Sequence, residues 1–226
     1  MLTLIRKDLR LQRLPLLVAV MLIIAPYVGA TAMLYQVYAP DMPKAATIAD
    51  YLATAAVFGL MMSTVTAGML AGNIFACERA DGSSVFLFSQ PVSRRQILTS
   101  KATLVFAVLG AVWLVHGLVL SGLAPSLDSA AKPYVRINNP VIFASALVVL
   151  TTGIAWLTSI VGRSPSLAIS AGLAAAFFVP WSIYLTSLFL AMAPDDIQFV
   201  SAFTQWIVGL GGFTAGTLVY LTRVEP

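Results

Sequence analysis

Residues 51–101 read YLATAAVFGLMMSTVTAGMLAGNIFACERADGSSVFLFSQPVSRRQILTSK, and their reading decides the fold. From Tyr51 to Phe75 there is no charged side chain. The run is long enough to cross roughly 30 Å of hydrocarbon as a helix, which takes about 20 residues. From Ala76 to Lys101 the character reverses, with six of the chain's 22 charged residues and a cluster of turn formers. A spanning helix followed by a polar interruption at one membrane face is the direct reading. β-barrel spans fit less well, because side-chain alternation is missing and the run is about twice a barrel strand's length.

The same pattern recurs on both sides. Hydrophobic residues make up 59% of the 226 and charged residues 10%, against about 25% charge in ordinary soluble domains. Apolar runs long enough to span occur at about 14–37, 51–75, 102–124, 141–161, 166–193 and 201–221. The expected fold is all-α: a polytopic membrane protein with six transmembrane helices in a single domain over 1–226. Basic residues near span ends favour the cytoplasmic side. With the N-terminus inside, ten of the thirteen Lys and Arg fall inside and only Lys44, Lys132 and Arg136 outside. Both termini are therefore expected in the cytoplasm of a multi-pass protein of the cell's inner (plasma) membrane. The net charge of +4 then belongs to the inner membrane face and not to a nucleic-acid surface.

Residues 1–13 place Arg6, Arg10 and Arg13 at i, i+4 and i+7, with Met1, Leu2, Ile5 and Leu9 largely opposite. This predicts an amphipathic interfacial helix, to which Lys7 adds charge, lying on the bilayer. Pro15 is expected to bend the chain into the first span. In the second span, Gly59, Ser63, Ala67 and Ala71 recur every four residues, and Gly212 and Gly216 repeat the idea in the last; both are small faces suited to close helix contact within the subunit. Ser164-Pro165 reads as a helix start, and Pro180 as a break in the fifth span.

Inside 76–101, Asp81-Gly82-Ser83-Ser84 is a turn, Val85-Phe86-Leu87-Phe88 a short apolar helix, and Ser89-Gln90-Pro91 its stop. Ser93 and Gln96 form a capping-box pattern opening the helix that leads into the third span. Four large apolar side chains at a membrane face are costly in water and predict docking onto headgroups or a partner.

Glu78, Gly82, Ser83, Leu87, Ser89, Pro91-Val92-Ser93-Arg94, Ile97 and Lys101 together resemble the cytoplasmic signature of ABC-2 type transporter permease subunits, with Ser83 where Thr is more usual and Phe88 where Leu is frequent. The resemblance implies that the short helix between spans 2 and 3, about Ser83 to Ser89, is a coupling helix seated in a separate cytoplasmic ATP-binding subunit. Glu78, Gly82, Ser83, Val85, Phe86, Leu87, Phe88, Pro91, Arg94 and Arg95 would form that coupling region, with Glu78 paired to Arg94 or Arg95. It implies a dimer with a second copy or a related permease, and ATP-driven export. The chain has no phosphate-binding G-x-x-x-x-G-K-[ST] loop, so no cofactor is expected in it; ATP and Mg would sit on the partner, and the chain would not itself be an enzyme.

Other chemistry is thin. His116 is the one clear ionisable group inside a span, without an intramembrane carboxylate to orient it, so triad and metal readings fail. Its structural reading is a buried histidine bonded to another helix; a role in substrate contact or proton sensing is the alternative. With Pro180, Trp181 and Tyr184 it defines a candidate path for an amphipathic substrate such as a drug or antimicrobial peptide. Two further functions remain open: an ion- or metal-linked ABC-2 system, and a membrane scaffold or sensor that couples to an ATPase without transporting.

Overall fold

The computed structural model of the protein describes residues 2–38, 45–82, 93–127 and 140–222. Among them are seven helices and no strand: α1 (Leu2–Leu11), α2 (Arg13–Tyr38), α3 (Ala45–Ala80), α4 (Arg94–Leu127), α5 (Pro140–Val161), α6 (Pro165–Phe189) and α7 (Pro194–Thr222). The last six are each long and apolar enough to cross a membrane. The expected short helix at 83–89 lies outside the described residues, as do its Ser83, Val85, Phe86, Leu87, Phe88 and Pro91.

Helix ends follow local chemistry. The Ser93 amide donates to Gln96 Oε1 at 3.1 Å while the Gln96 amide donates to Ser93 Oγ at 3.3 Å, the reciprocal capping box expected at the start of α4. Ser164 Oγ accepts from the Leu167 amide with Pro165 at the first helical position, so α6 starts as its sequence dictates. Beyond α3, Gly82 takes a φ of 75°, the left-handed geometry of a glycine cap.

The helix is interrupted at Gln12, between α1 and α2, where Pro15 bends it: the missing amide leaves the Leu11 carbonyl without its helical partner, and Leu11 is the last residue of α1. Two other readings need correction. Pro180 does not break the fifth span: α6 is continuous through it, because membrane helices absorb the loss of one backbone bond by small local adjustments. The same helix ends at Phe189, four residues short of the expected 193, where Ala191 adopts a φ of 51° and turns the chain toward Pro194.

α3 and α5 form the centre of the bundle. α5 packs most extensively on α7 and α3, while α3 also receives α2, α4 and α6. Trp156 of α5 is fully buried, with Phe75 of α3 edge-on at 5.1 Å and Phe213 of α7 at 4.8 Å between ring centroids. Tyr220 completes this aromatic core at 4.9 Å from Phe75.

Small residues decide which helices touch. Gly212 and Gly216 face α5, against Gly153 and Leu157, so this small face serves packing within the subunit. The small residues of α3 are shared between two neighbours. Gly59 and Ser63 serve α4, where Gly59 lies under the His116 ring and Ser63 Oγ accepts from Trp113 Nε1 at 3.1 Å. Gly68 and Gly72 serve α6, and a Cβ on Gly72 would come within 2.7 Å of the Ile169 backbone nitrogen.

Candidate functional site

At the end of the bundle where α3 stops and α4 begins, α1 is fastened to both by a buried ionic cluster. Lys101, 1% exposed, is its centre. Its Nζ lies 3.0 Å from Glu78 Oε2 and 3.3 Å from Asp8 Oδ1, and donates to the Ile74 carbonyl at 2.8 Å. Lys7 Nζ approaches Glu78 Oε1 at 2.6 Å from the more open side. Ser100 Oγ donates to Asp8 Oδ2 at 3.4 Å, and Asn73 Nδ2 donates to Gln12 Oε1 at 3.1 Å. Lys101 also stands 5.1 Å from the Phe75 ring centroid, which adds a cation–π attraction.

Two carboxylates and two ammonium groups compensate one another, which is how charge survives burial. The cluster joins the C-terminal end of α3, the N-terminal end of α4 and α1. Those two ends are the flanks of residues 83–92. At the same end of the bundle, Arg79 Nη1 donates to the Gly162 carbonyl at 3.3 Å and ties α3 to the end of α5.

The electrostatics of Asp8 follow from its position. Burial raises its carboxyl above the ordinary aspartate range, and the neighbouring Glu78 adds to this, while Lys101 and, more weakly, Lys7 pull it down. Burial is the largest of these effects.

Set against the sequence expectations, Glu78 was expected to pair with Arg94 or Arg95, but the cations that hold it are Lys7 and Lys101. Both arginines lie in the first turn of α4, Arg94 half-buried and Arg95 exposed. Arg6 and Arg10 are exposed on α1 as the amphipathic pattern implies, and Arg13, expected within the same helix, is exposed at the start of α2. The opposite face is not purely apolar, since Asp8 and Gln12 are buried on it. Sequence reasoning missed both. A lone acid within three residues of Ile5 and one of Leu9 was the available signal, because an acid on an apolar helix face needs a buried partner.

The candidate path residues do not converge. His116 is fully buried, stacked on Tyr27 at 5.6 Å with a Tyr27 Oη to His116 Nδ1 distance of 2.8 Å, so it is bonded to another helix as its structural reading held. Trp181 and Tyr184 lie about half exposed on α6, which packs on α3, α5 and α7.

The His116 ring fits only because residue 59 has no side chain: a Cβ there would overlap Cε1 and Nε2. Gly59→Ala is expected to expel the ring, break its bond to Tyr27 and cost about 1–3 kcal/mol. The Gly59→Ala/His116→Ala double variant should recover part of that loss, measured as a double-mutant cycle of thermal stability in detergent. Strict additivity would show that the two residues are not in contact.

Six spans closed at one end by a buried polar joint define a polytopic α-helical membrane protein. Comparison with known families carries this further: residues 4–218 match the family described as ABC-2 family transporter protein. The chain belongs to that family and is a membrane-spanning transporter subunit. No curated protein and no solved structure matches it.

Proposed function

We propose that the chain is the permease subunit of an ATP-driven exporter of amphipathic compounds, working as a dimer in the plasma membrane with both termini in the cytoplasm. A separate subunit binds ATP and Mg²⁺ and docks on the short segment from about Ser83 to Ser89. The observation that carries this reading is the ionic cluster beside that segment. Buried charges with fixed partners resist separation. A push delivered between α3 and α4 therefore moves their ends and α1 as one body instead of being lost in a flexible loop. Pairwise, such a joint turns closure of an ATPase dimer into rotation of membrane helices.

Phe86→Asp and Leu87→Asp are each expected to abolish co-purification of the ATP-binding subunit from native membranes, and compound-stimulated ATP hydrolysis with it, while leaving insertion of the permease unchanged. Retention of a nucleotide-binding partner by both variants would refute the docking assignment. Compound-stimulated hydrolysis without vectorial movement in liposomes would instead support a non-transporting sensor.

A further inference from the structure

An open groove of about 450 Å³ runs between the α1–α2 corner and α4. Its lining is almost wholly apolar: Ile5 and Leu9 of α1 at one end, Ile23 of α2 at the other, and Thr103, Ala107 and Val112 along α4. From Thr103 to Val112 a helix advances about 14 Å at 1.5 Å per residue. That is half of a roughly 30 Å hydrocarbon core, the depth of one leaflet. The groove thus starts at α1 and runs along α4 for about the thickness of one leaflet.

Its mouth is positively charged. Arg6 lies three residues from Leu9 on α1, which makes it a neighbour on the helix surface; Arg10 extends the stripe along α1, and Arg13 opens α2 at the corner. All three are exposed, and among the described residues no carboxylate pairs with them. The acids nearby, Asp8 and Glu78, are already engaged with Lys101 and Lys7 on the buried side. An apolar slot one leaflet deep, crowned by three free guanidinium groups, matches a phospholipid with a net negative headgroup. We infer that this groove is a binding site for one anionic phospholipid of the leaflet on which α1 lies, its acyl chain along α4 and its phosphate on the Arg6, Arg10 and Arg13 stripe.

The test is native mass spectrometry of the purified full chain in detergent with equimolar phosphatidylglycerol and phosphatidylcholine. One retained phosphatidylglycerol per chain is expected, in preference to phosphatidylcholine. Each arginine contributes roughly fivefold near a membrane surface, so Arg6→Gln/Arg10→Gln/Arg13→Gln should lower retention on the order of a hundredfold. Ala107→Trp, which fills the slot without touching a charge, should abolish retention of that lipid; Thr103→Phe at the mouth provides the same readout if the first variant does not fold. Equal retention of the two lipids by the native chain would overturn the site. So would undiminished retention in the slot-filling variants, because the arginines would then be acting as a general surface charge. Displacement of the lipid by excess soluble glycerol phosphate would assign the stripe to a free anion and also overturn it.

Discussion

Lys101→Met is expected to destabilise the folded chain by about 3–5 kcal/mol, the range for removing one partner of a buried ion pair. Lys101 is the only cation on Asp8 among the described residues, so its loss strands a carboxylate that is 4% exposed. Glu78 suffers less because Lys7 remains. The damage should therefore appear first as release of α1, read by protease cleavage after Arg6, Arg10 or Arg13 and by a lowered thermal midpoint. Asp8→Asn is the informative contrast. An asparagine can still accept from Lys101 through Oδ1 and donate to Ser100 Oγ through Nδ2, it removes the cost of burying a charge, and Lys101 keeps Glu78, so a loss of about 1 kcal/mol is expected. A cost for Asp8→Asn equal to that of Lys101→Met would contradict this account of the cluster. Acidification gives a second check. Because burial raises the Asp8 carboxyl, the folded chain holds that proton more tightly than the unfolded one. Its contribution to stability is full below the ordinary aspartate pKa and fades as pH rises through the raised value. Without Lys101 the value rises further, so the deficit of Lys101→Met should narrow as pH falls.

Gly153→Ala should cost about 3 kcal/mol, against the usual gain of about 1 kcal/mol when alanine replaces glycine inside a helix. The new Cβ would fall on the carbonyl oxygen of Gly209, and a Cβ at Gly209 would fall on that of Val149. Both obstacles are backbone, so no rotamer change relieves them. The helices must separate and give up the contacts around Gly212 and Gly216 together. Gly211→Ala is the control: it makes the same change in the partner helix α7, two residues from Gly209, with open space around it, and should be neutral or mildly stabilising. Thermal stability of the three chains side by side decides the matter; similar midpoints would mean that the α5–α7 contact does not support the bundle.

Much of the architecture was legible because its causes are local. Apolar runs of spanning length mark α2 to α7, Ser93 with Gln96 marks the start of α4, and Ser164-Pro165 marks that of α6; each signal is complete within a few residues. The site was legible only at Glu78 and Lys101, and there through resemblance. Asp8 meets Lys101 across more than ninety residues, and no spacing rule links positions that distant. The apolar stripe of α1 pointed to lipid, whereas Asp8 and Gln12 turn part of that face into the bundle. Pro180 illustrates the opposite error: a rule learned in water overstates what one missing amide does in a helix surrounded by lipid and neighbouring helices.

The tight crossing of α5 and α7 also fixes an order of events. Gly153 and Gly209 belong to parallel helices with the whole of α6 between them in the chain. While the chain emerges, α5 enters the bilayer with the Gly153 and Leu157 face without its partner, and that face stays open until α7 arrives. The central seam of the bundle thus closes late: a chain stopped before residue 194 leaves it open however well the earlier helices have packed.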